Sequence, residues 1–147
     1  MDYTLSKEKI AGHELLDRLL PGNDEPVINW TQLTKLMSND EDFIKDVVEG
    51  WLVDNPAAMD ALTKAVKANK FDEMFAFAHK IKGSAETVRG DLLAQAASLF
   101  ETAVEERKLE DIKITFAVVQ KEFEKFKSFL SRSDWMEIAK NKTKELI

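Results

Sequence analysis

The histidine at position 79 lies on a helix face that a hydrophobic core does not account for. It falls in the stretch FAFAHKIKGSAETVRG, residues 75–90. At 100° per residue His79 points nearly opposite to the apolar stripe of this stretch, and Lys82 and Gly83 follow one turn later. The apolar stripe, which we expect to be buried, consists of Met74, Phe77, Ala78, Ile81, Ala85 and Val88. The sequence therefore predicts an exposed imidazole beside a cation and a residue without a side chain.

The residue types around His79 suit the transfer of a phosphoryl group. An ordinary imidazole is largely neutral at pH 7, which leaves one ring nitrogen free as a nucleophile. Lys82 places a compact cation where it can offset the charge of a group arriving on that nitrogen. Gly83 costs about 1 kcal/mol relative to alanine inside a helix, so its missing side chain should serve a purpose. A surface His and Lys on a solvated face, with an accidental glycine, is the alternative explanation.

The residues that flank His79 predict a small docking surface for another protein. Ala76 and Gly83 leave room on both sides of the imidazole, while Phe75 offers an apolar contact that solvent does not favour. Glu86 borders the same face. We therefore assign these residues to partner binding.

Composition limits the classes of function. The 147 residues suffice for one domain with a core, and 44% hydrophobic and 33% charged residues with few glycines and prolines indicate a mostly helical fold. A net charge of -6 without a basic cluster argues against nucleic-acid binding and favours protein partners. No cysteine is present, and no apolar run is long enough for a membrane span or a signal peptide. We expect a cytoplasmic protein, without membrane association, that is monomeric.

Metal and nucleotide chemistry have little support in the sequence. The two histidines, His13 and His79, are too few for a three-histidine zinc site, and His13 lies among charged residues as an ordinary exposed side chain would. No glycine-rich phosphate loop and no nucleophile elbow occurs. We therefore expect no metal site, and hydrolases and nucleotide-binding enzymes have little support.

Apolar periodicity predicts helices along the whole chain and no β-strand. A first helix over Leu5–Leu20 ends at the linker PGNDEP, and Asn29 caps a short helix. Ser38 with Glu41 has the spacing of a capping box for the next helix. The buried stripe of that helix is predicted to contain Phe43, Ile44, Val47, Val48 and Trp51.

Three further boundaries are predicted from turn and cap residues. Asn55 followed by Pro56 has the pattern of a cap and a first-turn proline, which predicts that a new helix begins there. Gly90 is predicted as the left-handed residue that ends the helix of His79. Asp91 is predicted to cap the helix that follows.

The clearest element is the last long helix. Apolar residues recur at spacings of three and four, as expected of a bundle helix, at Ile112, Phe116, Val119, Phe123, Phe126 and Leu130. Asp134 with Glu137 predicts the cap of a terminal helix that packs through Trp135, Ile138 and Leu146. The whole pattern predicts an all-α protein, an antiparallel four-helix bundle with additional N- and C-terminal helices. We place the bundle domain at residues 27–131, after an N-terminal helix and linker at 1–26 and before a helical extension at 132–147.

The segment AHKIKGSAETVRGDLLAQAASLFETA, residues 78–103, closely resembles the signature of histidine-containing phosphotransfer (Hpt) domains. The likeness covers roughly residues 27–131, and it departs from the family pattern at Arg89 and Gly90, where glycine followed by alanine is usual. Its first part matches at Ala78, His79, Ile81, Lys82, Gly83 and Ser84, and its second part at Leu93, Ala97, Phe100 and Glu101.

The resemblance implies a phosphocarrier of two-component phosphorelays, a phosphotransfer intermediate that has no cofactor and no enzymatic activity of its own. His79 would accept a phosphoryl group through Nε2 from a receiver-domain aspartate and pass it to another receiver. Lys82 would stabilise its charge, and Glu101 would hold the imidazole Nδ1–H. The implied partners are receiver domains, which would supply Mg²⁺, and a hybrid sensor histidine kinase. Two alternatives are a silent Hpt-like adaptor that binds receivers without taking phosphate, and a structural helical bundle.

Overall fold

The structure is a computed structural model that describes residues 28–145, and this part of the chain is helical without any strand. The predicted all-α class is confirmed. The helix predicted at 5–20, His13 and Leu146 lie outside the described residues. The helices are α1 (Trp30–Leu36), α2 (Glu41–Lys67), α3 (Phe71–Thr87), α4 (Asp91–Glu105), α5 (Leu109–Leu130) and α6 (Trp135–Glu145). None of these helices is long and apolar enough to cross a membrane.

Helices α2 to α5 form the predicted antiparallel four-helix bundle. Each helix packs against the next, and α2 also contacts α5, so the four close around one core. The connections at 68–70, 88–90 and 106–108 are short, which makes consecutive helices antiparallel neighbours. The largest fully buried side chains include Ile44, Leu62, Met74, Ile81, Leu93, Phe100, Phe123 and Phe126.

Helices α1 and α6 pack together at one end of this bundle. The indole of Trp135 meets Trp30 edge-on, with 6.2 Å between ring centroids, and it meets Phe129 of α5 in the same manner at 6.4 Å. The Lys140 ammonium lies 2.9 Å from a carboxylate oxygen of Glu41. The short and terminal helices therefore cover the end at which α2 begins and α5 ends.

The predicted cap of α1 is confirmed, but that of α2 is wrong by two residues. The Asn29 side chain accepts a hydrogen bond from the Gln32 N–H. Ahead of α2, Ser38 has a left-handed backbone with φ of 55°, whereas a cap residue normally adopts the extended region. Asp40 caps the helix instead, since its carboxylate accepts from the N–H of Phe43. Phe43 itself is 51% exposed rather than buried.

Helix α2 runs continuously through the predicted break at Asn55 and Pro56. A proline inside a helix lacks one donor and costs about 3 kcal/mol. Both halves of α2 bury residues in the same core, which offsets that cost, and the buried Asn55 amide donates to the Trp51 carbonyl at 3.1 Å. Core packing therefore outweighed the local preference of Asn55 and Pro56 for a helix start.

The turn between α3 and α4 differs from the prediction at Gly90 and at Asp91. Arg89 adopts the left-handed conformation (φ 55°), while Gly90 has φ of -82° and precedes α4 as its N-cap. The Gly90 N–H donates to the Ala85 carbonyl, which closes a Schellman turn around Arg89. Asp91 is the first residue of α4 and accepts a hydrogen bond from the Asn29 side chain.

Gly90 is required for space rather than for conformation, because a Cβ there would lie 2.8 Å from the ring of Phe126. We expect Gly90→Ala to lower the free energy of unfolding by about 1–3 kcal/mol through overpacking. Gly50 is a matched control, since a Cβ on this exposed position in α2 has no neighbour within 4 Å. Gly50→Ala should raise that free energy by about 0.5–1 kcal/mol. Urea unfolding measures both, and equal effects would contradict the role of Phe126.

Glu122 on α5 is a buried acidic residue, with only 2% of its surface exposed. Its Oε1 has no hydrogen-bond partner within residues 28–145, and Lys125 Nζ lies 3.8 Å from its Oε2. Burial raises the pKa of Glu122 above its usual value, an effect that Lys125 and Lys121 only reduce. The charged form is thus disfavoured in the folded protein.

This shift predicts a pH-dependent effect of Glu122→Gln. Because its folded-state pKa is raised, Glu122 makes a contribution to the free energy of unfolding that is fully present below the unfolded-state pKa. This contribution is lost as pH rises through the folded-state pKa. We therefore expect the variant to be more stable than the natural chain by about 1 kcal/mol at pH 7, and the difference to vanish near pH 4. Denaturant unfolding at several pH values measures this, and a pH-independent difference would contradict it.

Candidate functional site

The site is centred on α3, whose burial places His79 towards solvent. Met74, Ala78 and Ile81 are buried against the bundle, as the periodicity predicted, while 68% of the His79 side chain is exposed. Phe77, which was predicted to be buried, is half-buried and packs against the core. The core thus holds α3 in place without involving the imidazole.

Glu101 on α4 is the residue that reaches His79 from another helix. One carboxylate oxygen, Oε1, lies 3.5 Å from His79 Nδ1, and only 10% of the Glu101 side chain is exposed. The same Oε1 is buried and has no hydrogen bond to any of the described residues. Because an unpaired buried acceptor is costly, a proton on Nδ1 would satisfy it. The arrangement favours the tautomer in which Nε2 keeps its lone pair.

The ring of Phe75 lies nearly parallel to the imidazole of His79. The two rings are 6.0 Å apart between centroids and only 9° from parallel, an offset stack. Phe75 is half-buried and also packs on the core, so its ring is less exposed than the sequence suggested, and its assignment to partner binding stays a prediction. The spacing of four residues on a helix is the signal that could have predicted this contact.

The other predicted residues of α3 lie on the same face and leave it open. Ala76, Gly83 and Glu86 are exposed, and Lys82 is half-buried one turn beyond His79. A Cβ at Gly83 would meet no atom within 4 Å, so the glycine is not required by packing within the described chain. The geometry therefore brings together an imidazole, a cation and open space, with a carboxylate behind the ring.

A family model described as the Hpt domain matches residues 46–129, which is more than half of the chain. The chain belongs to the Hpt domain family. Hpt domains are phosphotransfer proteins of phosphorelays, phosphocarriers rather than kinases, that interact with two-component receiver and kinase proteins. Comparison with curated proteins found no match, and neither did comparison with solved structures.

The matched segment of this Hpt domain runs from within α2 to the last turn of α5. It includes α3 and α4, and therefore every residue that the sequence analysis assigned to the site. Helices α1 and α6 fall outside it. The domain limits of 27 and 131 stay a prediction.

Two residues near the Hpt site were missed by sequence reasoning. Phe71 lies two turns before His79 on the same face of α3, with Phe75 between them. The guanidinium of Arg107, in the turn after α4, lies 4.5 Å above the Phe71 ring centroid. The spacing of the aromatic residues was visible in the sequence, but Arg107 is brought to them only by the fold.

The described part of this Hpt domain shows no cluster of metal-ligating side chains. Across residues 28–145, no group of three or more His, Asp or Glu residues is placed to hold a metal ion. The expectation that the chain needs no cofactor of its own stays a prediction.

Proposed function

We propose that this chain is a histidine phosphocarrier that accepts a phosphoryl group from a receiver aspartate on His79 and passes it to another receiver aspartate. The observation that carries the proposal is the exposed His79 imidazole with Glu101 Oε1 3.5 Å from Nδ1, in a chain of the Hpt family. This arrangement leaves Nε2 as the nucleophilic nitrogen.

In the first step the Nε2 lone pair attacks the phosphorus of the aspartyl phosphate. The bond between phosphorus and the aspartate oxygen breaks, and its electron pair leaves with the carboxylate. His79 then carries phosphate on Nε2 and a proton on Nδ1, so the ring is positively charged. The buried carboxylate of Glu101 balances this charge. In the second step another receiver's carboxylate attacks the phosphorus, and Nε2 recovers its lone pair.

Lys82 acts on the phosphoryl group rather than on the ring. Its side chain follows His79 by three residues on the same face of α3, and this spacing supports an interaction of the ammonium with the non-bridging oxygens of a phosphoryl group on Nε2. Phosphoryl transfer depends chiefly on in-line positioning and charge neutralisation, and no nucleotide site is needed for it. Mg²⁺ comes with the receiver domain.

The open face around His79 is where receivers bind. Ala76 and Gly83 leave clearance for receiver loops, Glu86 borders the contact, and the net charge of -6 fits protein partners. The phosphoryl group on the donating receiver originates from a hybrid sensor histidine kinase. A silent adaptor would share this surface and differ only in taking no phosphate.

Incubation with a phosphorylated receiver domain and Mg²⁺ tests the function. We expect acid-labile, alkali-stable phosphate on the natural chain and none on His79→Ala, and slower uptake by Lys82→Ala because the cation is lost. The free energy of unfolding of His79→Ala should differ from that of the natural chain by no more than about 0.5 kcal/mol, since the position is exposed. Label on His79→Ala would refute the assignment, and binding without label on the natural chain would show a silent adaptor.

Receiver docking is tested with a bulky helix-forming residue in place of Gly83. We expect Gly83→Gln to weaken receiver affinity at least about tenfold, equivalent to roughly 1.4 kcal/mol, because the new side chain occupies the clearance. Gly50→Gln, in an equally open position on α2, is the matched control and should bind receivers normally. Isothermal titration measures both affinities, and equal affinities would contradict the proposed clearance.

A further inference from the structure

We infer that Phe75 is a positioning residue for His79, and that it acts by restraining the imidazole rather than by contacting the partner. The inference deepens the proposed phosphocarrier function and rests on it for its effect on transfer rate. The observation behind it is the near-parallel stack of the two rings, 9° apart in orientation with 6.0 Å between centroids.

The imidazole needs a restraint because so much of it is exposed. A side chain on a helix surface samples several rotamers unless neighbouring atoms exclude them. With 68% of its area exposed, His79 is held only by what touches the remainder. A ring that turns freely presents Nε2 in many directions, and transfer requires one in-line direction.

Two contacts on the described part of the chain restrict the ring in different ways. Glu101 Oε1 lies beside Nδ1 at 3.5 Å, a distance at which a hydrogen bond is not yet formed, and it has no other partner. The carboxylate therefore favours the orientation in which the Nδ1 edge of the imidazole faces α4, but it restrains the ring only weakly. The Phe75 ring lies parallel to the imidazole and sets its plane. Together they define both the tautomer and the direction of Nε2.

Phe75 is itself held firmly enough for this task. It is half-buried and packs against the core, unlike Ala76 beside it, which is exposed. One turn earlier, Phe71 occupies the corresponding position under the guanidinium of Arg107. Phe71 shares the face, the residue type and partial burial with Phe75, but it lies two turns from His79. It is therefore the matched control.

The test is single-turnover transfer from a phosphorylated receiver to the full chain, over a range of receiver concentrations. We expect Phe75→Leu to lower the maximal rate about tenfold, since misplacement of reacting groups is costly, with the half-saturating concentration changed less than about twofold. Phe75→Tyr, which keeps the stack, should restore the rate, and Phe71→Leu should leave it unchanged. Phe75→Met replaces the leucine variant if that variant does not fold.

A second readout is independent of phosphate. Long-range ¹H–¹⁵N correlation spectra report the tautomer of His79, which we expect to be mostly Nδ1–H in the natural chain and in Phe75→Tyr, and mixed in Phe75→Leu. Failure of the natural chain to take phosphate would refute the proposed function, and these spectra would still decide the role of Phe75.

Three results would overturn the inference. A higher half-saturating concentration at an unchanged maximal rate would make Phe75 a docking contact. An equal loss of rate in Phe71→Leu would show a general structural effect. Identical His79 ring signals in Phe75→Leu and the natural chain would show that the stack does not restrain the imidazole.

Discussion

The close packing of α3 against α4 is the constraint on which the site depends. Both helices bury small residues completely, with Ala78 and Ala85 on α3 and Ala97 on α4. Because the separation of packed helices is set by the side chains between them, alanines allow the two helices to approach closely. Glu101 follows Ala97 by one turn and is thereby brought within 3.5 Å of the His79 imidazole. A larger residue at this seam would separate the two groups.

The rest of the bundle keeps that seam in register. Trp51 on α2 packs against Phe123 and Phe126 of α5, with ring centroids 5.4 and 5.0 Å away. Phe126 in turn fills the space left by the missing side chain of Gly90, at the turn between α3 and α4. The end of α3 is thus fixed by aromatic packing from the opposite side of the bundle. Helix α2 tolerates its internal proline because residues on both sides of Pro56 are buried in the core.

The two buried carboxylates, Glu122 and Glu101, have different neighbours in the bundle. Glu122 lies in the bundle with only Lys125 and Lys121 to offset its desolvation, so its pKa is raised. Glu101 is nearly as buried, but its unpartnered oxygen faces a histidine. A buried acceptor without a hydrogen bond lowers stability, and such a cost can be retained where the group has a use in function. In the proposed function, Glu101 would hold the proton on His79 Nδ1 and balance the positive charge of the ring when Nε2 carries phosphate.

The sequence by itself determined the all-α class, the four-helix bundle, and the exposed face of α3 with His79, Lys82 and Gly83. These follow from helical periodicity, which depends only on which residues are apolar and how they are spaced. Cap and turn preferences, worth about 1–3 kcal/mol, were misleading at Ser38, Pro56 and Gly90. At Ser38 the neighbouring Asp40 supplies the cap instead. At Pro56 and Gly90 the preference was outweighed by packing against distant residues. Only the tertiary structure decided that Arg89 takes the left-handed turn and that the half-buried ring of Phe75 lies nearly parallel to the imidazole. It also set the distance from Glu101 to His79, because that distance depends on how closely two helices pack, which no local pattern specifies.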